Sequence, residues 1–384
     1  MKVIVICKGN LEALPPVMSA ILVLKRLDYE VEVLTSSSLE GTQTEYRQRG
    51  IRVTNLLGAD QLPAVGMFGK MRSWTTFSHR TWKYLDSNRQ DSLLWLGSAD
   101  TALAMGKRIQ QRRYVLQLQE LYDSNPLYRR MLKAFAQRSS CVVVPDFNRA
   151  CILRSWYKLK ETPVVVPNKP ANHPRQRRLS IEDSCAHNII SSVSEGEKLV
   201  LYQGGIRPYS ELRYVAEAVQ QMGTGWRLVV MGSGNVEYLE KLRKEFPGCL
   251  HIPRVTPPKH LQVTSHAHIG IVTYSYECLN FLFCAPNKTW EFSGFGVPMI
   301  CNDLPSLRSE IQNTGAGLCV NIQQTEAIVA ALKSIDANHV TFQCNAHRLY
   351  DSIDIADRIR SAIERACDNP AASYGKARRS KKAA

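Results

Sequence analysis

Short apolar runs alternate with longer mixed segments along most of the chain. Runs at 3–7, 29–35, 51–53, 93–96, 114–118, 141–144 and 163–166 are too short for helices and rich in Val, Ile and Leu. They read as strands buried on both faces. Between them, 16–27, 71–85, 101–109, 128–138 and 149–157 carry helical spacing, and 58–70 has no clear period. Pro167-Asn168-Lys169-Pro170 stops regular structure, and 171–197, rich in Arg, Ser, Asn and Glu, reads as a linker. The alternation then restarts. Strands are expected at 199–203, 227–231, 250–252, 268–274, 297–301 and 318–320, and helices at 210–221, 236–246, 259–265, 325–335 and 342–366. Strand and helix in turn predict parallel sheets wrapped by helices.

The pattern thus predicts two Rossmann-like parallel-sheet α/β domains facing a cleft, over 1–170 and 198–345. A carboxyl-terminal helix over 346–367 and a disordered basic tail over 368–384 follow. A length of 384 residues agrees, being long for one core. No apolar run approaches the length of a membrane span, and the amino terminus lacks the organisation of a signal peptide. Eleven cysteines without a C-x-x-C pair argue against zinc and against a disulfide framework, so a reducing, cytoplasmic setting is expected. The net charge of +15 suits nucleic acid, an anionic membrane surface or phosphorylated ligands. Residues 1–170 hold 25 Lys and Arg against 14 Asp and Glu, so most of the excess lies in the first half.

The most informative stretch is 286–300, Pro-Asn-Lys-Thr-Trp-Glu-Phe-Ser-Gly-Phe-Gly-Val-Pro-Met-Ile, which reads as a short helix between two strands. Asn287 is the expected N-cap, and Gly294, Gly296 and Pro298 end the helix. A helix start offers free N–H donors and partial positive charge, to which Lys288 adds a full charge. Glu291, three residues on, lies on the same face. A carboxylate repels phosphate but accepts two hydrogen bonds from a vicinal diol such as a ribose. Phosphate-facing donors beside a diol-facing acceptor suit a nucleotide, although an ordinary capped helix yields the same string.

Tyr202-Gln203-Gly204-Gly205-Ile206 and Gly232-Ser233-Gly234 each follow a predicted strand. Glycines there let backbone approach a diphosphate, and they also suit any strand-to-helix turn. Lys8-Gly9-Asn10 and Gln119-Glu120 follow strands of the first half, where open parallel sheets carry their functional groups. Glu120 is a candidate for orienting an acceptor or moving a proton, or simply a capping acid. In 71–85, Trp74, Phe77, Trp82 and Tyr84 mix with Arg72, His79, Arg80 and Lys83, which fits a membrane-surface helix or a half-buried one.

Pro286-Asn287-Lys288-x-x-Glu291-x-x-x-x-Gly296-x-Pro298 resembles the donor segment of retaining family-four glycosyltransferases with the GT-B fold, especially those of bacterial surface-polysaccharide synthesis. The resemblance covers about 198–320 well and the first half thinly. It implies that Glu291 holds the ribose of a nucleotide-sugar, and that Arg207 or Arg213 joins Lys288 on the diphosphate. It also implies that Gly204, Gly205, Gly232, Ser233, Gly234 and Asn287 line the donor. Many members carry a glutamate where this chain has Phe283, and a histidine where it has Gln119.

The expected activity is transfer of a sugar from a nucleotide-sugar to a glycan or lipid-linked acceptor, retaining, with no cofactor or metal. Arg207, Lys288 and Glu120 are the catalytic candidates, with Gly9 facing the donor. The partners expected are the donor, the acceptor and an anionic membrane surface reached peripherally from the cytoplasm, but not nucleic acid. A nucleotide-sugar epimerase of the same architecture and a non-catalytic basic nucleic-acid-binding protein are the alternatives.

Overall fold

The computed structural model describes residues 1–57, 66–88 and 91–369. Most of the stretch expected to lack a period, and the basic tail beyond 369, lie outside the described residues. The described residues divide into two compact units, Met1–Ala171 together with those from Asp354 onward, and Asn172–Ile353.

The first unit holds seven strands: β1 (Lys2–Asn10), β2 (Glu30–Ser37), β3 (Arg52–Asn55), β4 (Ser92–Leu96), β5 (Tyr114–Gln117), β6 (Cys141–Val144) and β7 (Val164–Val165). They pair in parallel in the order β3-β2-β1-β4-β5-β6-β7. Val3 to Cys7 and Leu93 to Leu96 are buried along their whole length, which is why these segments read as unbroken apolar runs. One face packs on the helices Pro15–Arg26 and Ile355–Asp368, whose Val17, Ile21, Leu24, Ile359 and Ile363 share a core with Val3, Val5 and Val143.

The second unit holds six strands: β8 (Lys198–Ile206), β9 (Trp226–Gly234), β10 (Leu250–Ile252), β11 (Ile269–Val272), β12 (Met299–Asn302) and β13 (Gly317–Val320). Their order is β10-β9-β8-β11-β12-β13, again all parallel. Two apolar clusters, one on each face of this sheet, hold the side chains alternating along β8 and β9. In both units the strand order reverses once, between β1 and β4 and between β8 and β11. Ligands of open α/β sheets bind beyond the strand ends at such a reversal.

Three expectations are corrected. Lys8-Gly9-Asn10 does not follow the first strand but forms its end, because β1 continues through Asn10, with an irregular register after Cys7. The helix expected over 342–366 is two, His339–Asp351 and Ile355–Asp368, and they belong to different units. Asp354 caps the second by accepting from the Ala356 amide at 2.7 Å. Residues 172–197 fold with the second unit and contain the helix Ser184–Ser191. Their polar composition reflects bonding rather than freedom: Arg175 is paired to Asp351 at 2.6 Å, and the Leu179 amide donates to Ser265 Oγ at 2.9 Å. Of the two readings of 71–85, the structure shows the half-buried one, with Phe77 and Trp82 of the helix Gly66–Ser87 turned inward. Phe77, Thr81, Trp82 and Leu85 are buried, Trp74 and Tyr84 are half-buried, and the Lys8 ammonium lies 5.2 Å from the Trp74 ring centre.

Candidate active site

The residues of the second unit singled out from the sequence gather where its strand order reverses. The helix Asn287–Gly294 starts one residue earlier than a cap at Asn287 requires. Pro286, extended, is the cap residue, and its carbonyl oxygen accepts from the Thr289 amide at 3.3 Å. A cap needs no N–H of its own, so proline serves there. The helix is buried along most of its length, with Trp290 and Phe292 in the core. That packing fixes the direction of Lys288 and Glu291.

Lys288 reaches back over the end of β8. Its Nζ lies 4.5 Å from the ring centre of Tyr202 and 5.3 Å from that of Tyr274, so two ring faces hold the ammonium. It also lies 3.4 Å from where a Cβ on Gly204 would stand. Arg207 is exposed, and its Nε lies 4.0 Å from the corresponding point on Gly205. Two cations therefore flank the glycine pair. Arg213, the alternative, is tied to Glu245 by Nε at 2.9 Å and Nη2 at 2.8 Å.

The glycine segments are not loops, as their composition suggested. Gly204, Gly205 and Ile206 pair with Gly232, Ser233 and Gly234 as the last rungs of β8 and β9. The backbones run so close that a Cβ on Gly232 would fall on the Gly204 carbonyl oxygen, and one on Gly234 on that of Ile206. Gly204 and Gly232 have φ of +135° and +151°, which glycine alone adopts without strain. His251 Nε2 donates to the Gly232 carbonyl at 3.0 Å, fixing this end of the sheet from the far side. Ser233, Gly234, Gly204 and Gly205 are exposed.

Glu291 is 8 % exposed and sits in a network that composition did not announce. Gln203 Nε2 donates to its Oε2 at 2.5 Å, and His260 Nε2 lies 3.0 Å from its Oε1. Thr264 Oγ1 in turn donates to Gln203 Oε1 at 2.7 Å, fixing which way that amide faces. Burial pushes the Glu291 carboxyl up, but His260, its hydrogen bond, that of Gln203 and the Lys288 charge together hold it below its ordinary value. It is therefore ionised at neutral pH. Each oxygen keeps acceptor capacity beyond the bond drawn here, since a carboxylate offers about four lone-pair sites.

His173 supports the same helix from the polar segment that follows the first unit. Its ring packs against Phe295 and Tyr350 at 4.2 and 5.1 Å, and its Nε2 donates to the Glu291 carbonyl at 3.0 Å. Its Nδ1 accepts from the Arg175 amide at 3.1 Å. Burial, with the Arg175 charge adding, pulls its pKa down to about 4, so the ring is neutral. Sequence reasoning missed His173, His260 and Thr264. They are single residues on distant segments, and only the fold brings them to Glu291. Phe283 closes the short helix Leu279–Leu282 and is half-buried; Glu277 is exposed.

The other two candidates belong to the first unit. Gly9, with φ +136°, is the last residue but one of β1; its N–H donates to Ser36 Oγ at 3.0 Å and its carbonyl accepts from Thr35 Oγ1 at 3.1 Å. Glu120 follows β5, is exposed, and lies 3.6 Å from the buried Arg149 guanidinium, which also donates to the Gln119 carbonyl. Both stand at carboxyl ends of strands.

Residues 197–338 match the family model described as glycosyl transferases group 1. No curated protein matches the chain by sequence. Solved structures match its fold along almost the whole length. One is Alr3699/HepE of Anabaena in complex with UDP and glucose, with TM-score 0.72 and 12 % identity, covering 96 % of this chain and 100 % of that one. Another is a sucrose-phosphate synthase from Thermosynechococcus elongatus, with TM-score 0.66 and 16 % identity, covering all of both chains. A third, described as trehalose-6-phosphate from E. coli bound with UDP-2-fluoro glucose, has TM-score 0.62 and 12 % identity over 95 % of this chain and 99 % of that one. The fold is that of the GT-B glycosyltransferases, and the second unit carries a group 1 glycosyl transferase domain.

Proposed function

We propose that this chain moves a sugar from a nucleotide-sugar to a glycan or lipid-linked acceptor, with retention and without a metal ion, in the synthesis of surface polysaccharide. The observation that carries the reading is the pair of cations beside Gly204 and Gly205, with the ionised Glu291 one helical turn beyond Lys288. Breaking a sugar–phosphate bond leaves negative charge on the departing nucleoside diphosphate. Lys288, held over two rings, and the amides opening the Asn287 helix are fixed donors for that charge, and Arg207 adds a second cation from the exposed side. Glu291 accepts from the ribose hydroxyls, while Gln203 and His260 hold its carboxylate in place. The glycine-built ends of β8 and β9 let the donor rest on backbone. In the first unit Glu120, steadied by Arg149, is the acceptor-side carboxylate, and Gly9 leaves room at the end of β1. Retention and the polysaccharide role rest on the resemblance of the Pro286–Pro298 motif.

Among the described residues no helix is long and apolar enough to cross a membrane. Attachment to an anionic bilayer is thus proposed as peripheral. Leu127, Met131 and Phe147 support it, being 69, 44 and 64 % exposed, the first two on the helix Pro126–Arg138 and the third at the start of Phe147–Tyr157. Arg129, Arg130 and Lys133 lie on the first of these helices.

Thermal unfolding of the full chain against a panel of UDP- and GDP-sugars tests the function. A ligand at 100 times its dissociation constant stabilises the fold by about 2.7 kcal/mol, so at least one donor should raise the midpoint clearly. Turnover of that donor should then require an acceptor, which an epimerase does not. A chain that ignores every donor yet binds random DNA in a salt-dependent way is a nucleic-acid-binding protein instead.

A further inference from the structure

The eleven cysteines are all reduced, and two of them meet. Cys301 in β12 and Cys319 in β13 are register partners across neighbouring parallel strands, and their sulfurs lie 3.3 Å apart. Strands are spaced about 4.8 Å apart, within the Cα separations that disulfides span, so a bond between them needs little backbone movement. Their surroundings differ. Cys301 is fully buried, and β13 ends the sheet, leaving Cys319 half-buried at its edge.

We propose that Cys301 and Cys319 form a reversible dithiol–disulfide site that reacts with peroxides, with Cys319 as the attacking thiol and Cys301 as the resolving one. In the first step Cys319 thiolate attacks one peroxide oxygen. A sulfur–oxygen bond forms, the oxygen–oxygen bond breaks and hydroxide leaves, giving the sulfenic acid. In the second step Cys301 sulfur attacks Cys319 sulfur. The disulfide forms, the sulfur–oxygen bond breaks, and the departing hydroxide takes the Cys301 proton as water. Two thiols are oxidised and one peroxide is reduced to two waters; a dithiol reductant reverses the bond by exchange. The order of attack follows from access and ionisation. The hydrogen bond from Cys301 holds the Cys319 thiol below its ordinary value, with Arg308 adding to it, while burial pushes Cys301 up.

The site is wired to the nucleotide end of the second unit. Asn302, next to Cys301, donates from Nδ2 to the Tyr274 carbonyl at 2.6 Å and accepts on Oδ1 from the Tyr274 amide at 3.1 Å. The Tyr274 ring faces Lys288. Closing the two sulfurs to bonding distance therefore acts directly beside Asn302, which holds a residue that orients the proposed diphosphate contact. This consequence rests on the function proposed above, whereas the bond itself does not.

The test treats the full chain with hydrogen peroxide, alkylates the remaining thiols, and reads intact mass and a non-reducing peptide map. The expected result is loss of two hydrogen atoms, a Cys301–Cys319 cross-link, and full recovery with dithiothreitol. Cys319→Ser should abolish the cross-link. Cys301→Ser should leave a Cys319 sulfenic acid that a cyclic dione traps, and its far-ultraviolet dichroism should match the parent. Cys319 that stays alkylatable, or that over-oxidises without cross-linking, overturns the proposal even if both variants fold. UDP affinity of the cross-linked chain should fall about fivefold or more, a coupling of ordinary size. Equal affinity in both redox states overturns the link to the donor end. A reduced chain that binds no nucleotide overturns the proposed function and leaves the dithiol standing.

Discussion

At the scale of single residues, Glu291 is held at both oxygens before any ligand arrives, by Gln203 on one side and His260 on the other. The sequence motif pointed to Glu291 and Lys288 because their spacing is local, three residues on one helix. It could not point to His260 or His173, whose roles depend on contacts with residues 31 and 118 positions away. Glu291→Gln keeps the shape but presents an amide where a carboxylate accepted, and it should weaken nucleoside binding by on the order of 1.5–3 kcal/mol. Calorimetry on uridine and UDP checks this; unchanged affinity for both removes Glu291 from the site. His173 sets a pH dependence. Its folded pKa, about 4, lies below the unfolded value of 6.5, so between those two values the unfolded chain binds the extra proton. Stability should therefore rise with pH across that window, by on the order of 3 kcal/mol from this group. His268, pulled to about 4 mainly by burial, adds in the same direction. Midpoints for the parent and His173→Asn between pH 4 and 7 should show a flatter slope in the variant.

At the scale of elements, the strands were legible because parallel strands buried on both faces leave uninterrupted Val, Ile and Leu runs. Their ends were not. Glycine reads locally as a break, yet Gly204 and Gly232 continue β8 and β9, because the partner that needs the missing Cβ is 28 residues away. Gly232→Ala should consequently destabilise the chain by on the order of 1–3 kcal/mol and disturb the proposed bed of the donor. Gly225→Ala, where a Cβ meets nothing within 4 Å, is the control and should melt like the parent. The helix Gly66–Ser87 carried a ambiguous aromatic pattern, and the fold resolved it inward at Phe77, Trp82 and Leu85. Vesicle binding should then depend on the helix Pro126–Arg138. Leu127→Ser with Met131→Ser should cut co-sedimentation with anionic vesicles at low salt, where basic residues add about 1 kcal/mol each. Binding that survives this change but falls with Trp74→Ala would return the contact to the earlier helix.

At the scale of the molecule, two parallel-sheet units were legible from the restart of the alternation near residue 198, and their borders were not. The helix Ile355–Asp368 returns to the first unit and shares its core through Ile359 and Ile363, a placement with no local signature. Polar residues 172–183 looked free because their partners, Asp351, Ser265 and Gln262, are far along the chain. The proposed function rests on what lies at the reversal of the second sheet: a site for a nucleoside diphosphate, charged by Lys288 and Arg207. The most direct measurement is calorimetric binding of UDP, GDP and their nucleosides to the parent and to Lys288→Ala. The parent should bind at least one diphosphate, and the variant should lose on the order of 1.5–3 kcal/mol of it, roughly ten- to a hundredfold, while nucleoside affinity stays put. Equal loss for nucleoside and diphosphate, or a parent that binds neither diphosphate, would contradict it.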